Sequence, residues 1–353
     1  MHKLAIIILN WNGSEMMRKY LPSVVENSLV GNVVVADNAS SDDSVEMLAK
    51  EFPHVQRILL DKNYGFAEGY NQAIAQLPTY EYYLLLNSDV EIRQKGWDKV
   101  LTDYMDQHPE CAVCQPKLLD LKKAEEAERE QGCTNHSLYF EYAGCAGGFL
   151  DKYGYPFCRG RILGTVEEDK GQYDNPRTVL WATGAALLCR ATDWRASGGL
   201  DSRFFAHMEE IDLCWRIRTM GRDIVCIPQS TAYHLGGATL NQGNPRKTFL
   251  NFRNNLLMLY KNLPEAELKA TLRIRMVLDY VAALQFLLKG DLANMKAVFK
   301  ARREFQKMRD EYIPIRQHIQ ATRKVQRIPE RTHYSILWQY YIKGHRTYSS
   351  LPA

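Results

Sequence analysis

This chain lacks any stretch both long and apolar enough to cross a bilayer. The longest late apolar run, Met276 to Leu288, is interrupted by Asp279 and Gln285. It falls short of the roughly 20 residues that a spanning helix needs. The opening run Leu4-Ala5-Ile6-Ile7-Ile8-Leu9 is cut off by Asn10-Trp11-Asn12-Gly13, so it reads as a first strand and not as the core of a secretory signal. Internal repeats and low-complexity tracts are missing too. No G-x-G-x-x-G follows the first strand, which disfavours a dinucleotide-dependent dehydrogenase. The glycine-rich Ala143-Gly144-Cys145-Ala146-Gly147-Gly148 has no lysine or Ser/Thr after it, as a P-loop would require. Its plain reading is a loop that packs close to neighbouring backbone.

Cysteine is present without a metal-binding pattern. Cys111, Cys114, Cys133, Cys145, Cys158, Cys189, Cys214 and Cys226 sit mostly among apolar residues, as in Ile224-Val225-Cys226. They read as buried free thiols of a reducing compartment. Cys111 and Cys114 form one C-x-x-C, but no second pair follows at zinc-finger spacing and the flanking residues read as strand.

A net charge of +4 conceals an asymmetry. Residues 246–353 carry 21 Lys/Arg against 8 Asp/Glu, a balance of +13, which leaves the preceding 245 residues at −9. An acidic body with a basic tail implies an anionic partner. The tail has neither the aromatic-and-glycine pattern of an RNA-binding sheet nor zinc-finger spacing, so nucleic acid is not expected, and an anionic membrane face fits better. Helical patterns cover Phe249 to Asn262, Glu265 to Leu288 and Leu292 to Met308. Basic residues mixed with Met276, Val277, Phe286, Leu287 and Phe299 suit an interfacial helix. The plain alternative is a helical domain packed on the body, and both can hold. The division is therefore a body over residues 1–245 and a basic helical region over 246–353 that contacts a membrane surface or another copy of the chain. The expected location is cytoplasmic, peripheral to the inner membrane face.

Over the first 115 residues strand and helix patterns alternate. Strands read at Leu4–Leu9, Val33–Ala36, Val55–Leu60 and Tyr82–Leu86; helices read at Ser14–Asn27, Asp43–Glu51 and Phe66–Gln76. Such alternation implies an α/β fold whose parallel sheet is covered on both faces. Ligands of these sheets sit at the carboxyl ends of the strands. Asn10, Asp37, Asn63 and Asn87-Ser88-Asp89 all fall at or just past those ends. Farther on, a helix is expected at Asp193–Ala196, and an amphipathic one over Glu210–Met220, just after Glu209 in the acidic cluster Glu209-Glu210-Ile211-Asp212. A strand over Ile224–Ile227, ended by Pro228, precedes His234 and the Gly236-Gly237 loop. Leu121 to Gln131 reads as an exposed helix. A carboxylate closing a buried strand suits a hard cation and a diphosphate, and a distant acidic pair suits proton removal from a hydroxyl. Together they suggest a site for a sugar nucleotide.

These residues resemble family 2 glycosyltransferases, inverting sugar transferases of the GT-A (nucleotide-diphospho-sugar transferase) fold. The resemblance runs from Ile6-Ile7-Ile8-Leu9-Asn10-Trp11-Asn12-Gly13 through Val35-Ala36-Asp37-Asn38-Ala39-Ser40-Ser41-Asp42. It continues in Asn63-Tyr64-Gly65-Phe66-Ala67-Glu68-Gly69-Tyr70-Asn71, Leu84 to Val90, Thr183-Gly184-Ala185, Gly198-Gly199-Leu200-Asp201, Phe204 to Arg216, and Tyr233-His234. Within the family it is most similar to rhamnosyltransferase-like enzymes of bacterial surface polysaccharide assembly. The resemblance implies a mixed, mainly parallel sheet and a nucleotide-sugar donor held by Asn10, Asp37, Asn63, Gly65, Asn71 and Asn87. It also implies Mg²⁺ or Mn²⁺ at Asp89 and His234, and a glycan or lipid-linked acceptor. Glu210 is the expected general base, with Glu209 behind it. Two departures stand out: Asn87 replaces the first acid of the family's Asp-x-Asp, and Glu210 replaces the usual aspartate. Asp212 is expected to salt-bridge Arg216 one turn on. Arg216, Arg218 and the Gly243–Lys247 segment are candidates to approach the diphosphate. One rival, a sugar-phosphate nucleotidyltransferase, normally opens with a basic glycine-rich loop that Asn10-Trp11-Asn12-Gly13-Ser14 lacks. Another, a non-catalytic sugar-nucleotide or glycan-binding subunit, is suggested by Asn87. The oligomeric state stays open.

Overall fold

The computed structural model describes residues 2–131, 138–236 and 243–352. Cys133 and Gly237 lie outside them. In the described residues nine strands form one central sheet. His2–Asn10 runs parallel to Gly31–Asp37 on one side and to Tyr80–Leu86 on the other, and Gln56–Leu59 extends the parallel half. Ala186–Arg190 is antiparallel to both Tyr80–Leu86 and Cys111–Asp120. Beyond it, Cys111–Asp120 pairs in parallel with Asp223–His234. The sheet is thus mixed and mainly parallel, as expected.

The apolar runs explain the layering. In the first strand Leu4, Ile6 and Ile8 share one core cluster with Met17 and Leu21 of the Ser14–Asn27 helix and Trp97 and Leu101 of the Trp97–Gln107 helix. The alternate residues Ala5 and Ile7 join Ala67, Tyr70 and Ala73 of the Gly65–Ala75 helix in a second cluster. Successive strand side chains point to opposite faces, so a run apolar at every position is what a doubly covered sheet demands. The seven described cysteines are buried and unpaired. The glycine-rich loop follows its plain reading: a Cβ at Gly148 would lie 2.0 Å from the Trp181 ring.

Two expectations need correction. Pro228 does not end its strand, which runs on to His234 with a register shift between Ile227 and Thr231. A proline without an N–H is tolerated at such an irregularity, and the continued strand sets His234 opposite Val90. The Leu121–Gln131 helix is not exposed all round, since Leu121 and Ala124 are buried. The basic region packs on the body, in keeping with its plain alternative reading, and begins inside the core. Leu256, Leu257, Met258 and Leu259 of the Pro245–Asn262 helix are fully buried in the same cluster as Ile211 and Trp215. The Glu265–Leu288 and Leu292–Met308 helices follow. No helix among the described residues is long and apolar enough to cross a membrane.

Candidate active site

The parallel register aligns Asn10 with Asp37. Asn10 Nδ2 donates to Asp37 Oδ2 at 3.0 Å, and the other Asp37 oxygen accepts from the Ser40 amide at 2.8 Å. Asp37 therefore shapes the turn at the strand end, while the buried Asn10 Oδ1 has no partner. Next door, Asn38 is a hub that sequence reasoning passed over. Its Oδ1 accepts from the Tyr64 amide at 2.9 Å, and its Nδ2 donates to the Gly65 carbonyl at 3.0 Å. Asn63 Oδ1 accepts from the Gly65 amide at 2.8 Å. Gly65 has φ +75°, and a Cβ there would meet the Phe205 ring at 2.5 Å, so the position requires glycine. Asn71 is engaged at both ends of its amide by the Leu200 backbone, at 2.8 and 3.1 Å. It ties the Gly65–Ala75 helix to the segment that leads to the acidic cluster.

At the end of Tyr80–Leu86 the chain places Asn87 and Asp89 beside His234. His234 Nε2 lies 3.1 Å from Asp89 Oδ1 and 3.3 Å from Asn87 Nδ2. On the far side of the ring, Nδ1 faces Glu141 Oε1 at 3.4 Å, an ion-pair distance without hydrogen-bond geometry. Burial alone would favour neutral imidazole, but the two carboxylates override it and push the His234 pKa up to about 10. Burial likewise opposes ionisation of Asp89, and His234 overcomes it, holding the carboxyl below its ordinary value. Among the described residues no group of three or more His, Cys, Asp or Glu is arranged to hold a metal. The donor chemistry still fits Mg²⁺ or Mn²⁺, which are often held by one or two carboxylates with the substrate's phosphates completing the shell. Glu141 had no sequence signal beyond its place between two aromatics just before the glycine-rich loop.

The acidic cluster divides in two. Glu209 and Glu210 each carry a buried Oε2 with no partner. Burial, then the adjacent Glu210, raises the Glu209 pKa well above the carboxylate range, and burial pushes Glu210 up to about 7. A Cβ placed on Gly184 would be 3.8 Å from Glu210 Cβ, which puts the Thr183-Gly184-Ala185 segment against this side chain. Asp212 takes the opposite environment. It accepts from Arg216 Nε at 2.9 Å, Lys261 Nζ at 2.8 Å and Asn262 Nδ2 at 2.8 Å, which bears out the expected pairing with Arg216. Arg216 and Arg218 do not face a diphosphate: Arg216 binds Asp212 and the Gly199 carbonyl, and Arg218 binds Asp223 and Glu330.

Two chains of contacts join the acidic pair to the His234 group. The Asn87 amide donates to the Ala185 carbonyl at 3.0 Å, next to the Gly184 that abuts Glu210. On the other flank, Lys247 lies near enough to His207 and Glu141 to interact with both electrostatically. The loop before Glu209 is strained, with positive φ at Phe205, His207 and Met208. Asn254 holds it: Nδ2 donates to the carbonyls of Phe204, Ala206 and His207 at 2.9, 2.9 and 2.8 Å. Neighbouring Asn254-Asn255 within an apolar helix was the available clue, since buried polar groups require partners.

The family model described as Glycosyl transferase family 2 matches residues 5–162. Over 242 residues the chain is 23% identical to the N-acetylglucosaminyl-diphospho-decaprenol L-rhamnosyltransferase of Mycobacterium tuberculosis, covering 65% of this chain and 75% of that protein. Two solved structures share the fold. The crystal structure of GalNAc-T7 with UDP, GalNAc and Mn²⁺ superposes with TM-score 0.58 at 13% identity, covering 89% of this chain but only 57% of that one. S. aureus TarS 1-349 in complex with UDP superposes with TM-score 0.54 at 16% identity, covering 91% and 87%. At such identities the structures speak to architecture alone. The two structures show a GT-A fold, and the family match runs over the strands that carry Asn10, Asp37 and Asp89, so that residues 5–162 carry a glycosyl transferase family 2 domain and the chain is a glycosyltransferase.

Proposed function

We propose that the protein moves a sugar, of hexosyl or rhamnosyl type, from a nucleotide-diphosphate donor to a hydroxyl of a glycan or lipid-linked acceptor in surface polysaccharide assembly. The M. tuberculosis relative, named for a lipid-diphosphate-linked sugar, supports that acceptor class. The reaction is a single inverting displacement. Asn10, Asp37, Asn63 and Gly65 border the nucleoside at the strand ends, and Asn87 sits between nucleoside and diphosphate. Asp89 would hold Mg²⁺ or Mn²⁺, joined by His234 only once its imidazolium gives up a proton, and the cation would neutralise the charge growing on the leaving diphosphate. Glu141 orients the His234 ring from behind.

The observation that carries this reading is the buried, unpartnered Glu210 Oε2, in a half-buried turn packed on the segment that joins the strand end holding Asp89. A general base works best with a pKa near the working pH, and Glu210 at about 7 meets that condition. Glu209, whose deeper burial and neighbour Glu210 both raise its pKa, is the lesser candidate. As Glu210 takes the proton, the acceptor oxygen attacks the anomeric carbon opposite the diphosphate. Sugar transfer and slow donor hydrolysis with Mn²⁺, then with chelator, test the assignment alongside Glu210→Ala. Turnover that needs both cation and Glu210 supports it. Donor binding without any turnover in the wild type points instead to a binding subunit.

A further inference from the structure

A cavity of about 650 Å³ opens between the Pro245–Asn262 and Leu292–Met308 helices. Its walls include Phe205, Arg246, Phe249, Arg253, Lys296 and Lys300, and none of its lining residues is acidic. Arg246 lies over the Phe205 ring at 4.9 Å and Lys300 over the Phe249 ring at 5.1 Å. Arg253 Nη2 donates to the Arg203 and Phe204 carbonyls at 2.9 and 3.1 Å. Among the described residues none of these four cations pairs with a carboxylate. Like charges gathered in one concavity repel one another, and a bound anion relieves that repulsion.

The rim of this cavity adjoins an apolar surface. The Glu265–Leu288 helix buries Leu268 and Ala283 on its inner side, yet Val277, Val281, Leu284 and Leu288 on its outer side are each more than half exposed. A helix apolar on both sides belongs in surroundings that cover both. Leu292 and Phe299 extend the ridge onto the next helix, where Phe299 stacks on Tyr280 at 5.5 Å. Lys296 stands between Leu292 and Phe299 at helical spacing, so the cationic mouth and the apolar ridge share one helix face. Lys269, Arg273, Lys289, Lys300 and Arg303 are exposed along these helices, while the acidic Glu265 pairs with Arg316 and Asp291 caps the second helix at Asn294.

We propose that this cavity binds the phosphate or diphosphate head of an anionic lipid, with the lipid chain and the apolar ridge lying together in the bilayer surface. A phosphate satisfies the cations, and only an amphiphile also satisfies the ridge beside them. If the acceptor is lipid-linked, as in the proposed function, its head sits here against Phe205. The same Phe205 carbonyl accepts from the Phe66 and Ala67 amides and heads the loop that leads to Glu210.

Flotation of the full chain tests this with phosphatidylcholine vesicles, plain or doped with phosphatidic acid or with a polyprenyl diphosphate. The wild type is expected to bind doped vesicles at least about tenfold more tightly than plain ones, and K296E/K300E to lose that preference. V281S/L288S is expected to weaken binding to every vesicle. Circular dichroism checks that each variant is folded, and Arg246→Glu provides a second cavity variant. Equal binding to plain and doped vesicles, or wild-type preference in both cavity variants, overturns the proposal. So does a thermal shift with inorganic pyrophosphate in the absence of vesicle binding, which assigns the cavity to a soluble anion. Nucleotide-sugar binding is measured in parallel; its absence in the wild type counts against the proposed function and leaves the lipid result standing.

Discussion

Glu210 and Asp212 open the same helix, and the fold surrounds them in opposite ways. Asp212 is fully buried but receives Arg216, Lys261 and Asn262. Lys261 also reaches Asp201 at 2.8 Å, which closes a dry network between the start of the Glu209–Thr219 helix and the Pro245–Asn262 helix. Glu210 is half-buried, but its Oε2 is shut off from water without a partner, so the carboxyl keeps its proton more tightly than an ordinary one and releases it near neutral pH. One carboxylate anchors the helix and the other is left available for chemistry. Burial alone does not separate these roles; the partners do.

Substitutions at the two positions should fail in different ways. Glu210→Gln keeps shape and burial, so stability should hold while kcat for transfer falls by roughly 10²- to 10⁴-fold. Equal losses of kcat in Glu209→Gln and Glu210→Gln would break the distinction drawn inside the pair. Asp212→Ala leaves Lys261 with Asp201 alone and takes the shared acceptor from Arg216 and Asn262 in a dry site, and should cost about 3–5 kcal/mol in denaturant unfolding. A loss under about 1 kcal/mol would mean that the network is not the anchor. Asn254→Ala removes the donor to three loop carbonyls and should cost about 1–3 kcal/mol. It should also slow transfer, because the strained turn loses its support.

The smallest effect lies in the pH dependence of stability. Glu210 has a raised folded pKa, so its contribution is present at acid pH and declines as pH rises from the ordinary carboxylate value through about 7. Asp201 behaves in the reverse sense. Burial opposes its ionisation, but Lys261 and Arg203 lower its pKa to about 2, so its contribution is present above the ordinary value and is lost as pH falls towards about 2. The slope of the unfolding midpoint against pH should therefore differ between wild type and Glu210→Gln only between about pH 4.5 and 7, leaving Glu210→Gln the more stable by a constant margin above that window.

The sequence was legible where one residue's role follows from its own strand. Apolar runs marked the parallel half of the sheet, and the strand ends marked Asn10, Asp37, Asn87 and Asp89. His234 was legible as a candidate for a wrong local reason. Pro228 looked like a strand end, but a register shift lets the strand pass it and carry His234 to Asp89. Glu141 was not legible, and the Asn254-Asn255 pair hinted at buried partners without naming them, because each residue acts on a segment far along the chain. Asn71 and Asn63 were read as ligands of the nucleotide, while the hydrogen bonds visible in the fold serve Leu200 and Gly65. The boundary at residue 245 followed a change in charge, whereas the core follows apolar contact and runs on through Leu259.

The most direct test is the pH profile of transfer under single-turnover conditions, with donor affinity measured separately. For the wild type the account predicts a rate that rises with pH along a limb near 7. In Glu210→Gln the limb should vanish and the rate collapse, while donor affinity stays within about twofold. A Glu210→Gln enzyme that transfers sugar at the wild-type rate, or keeps the same limb, would contradict it.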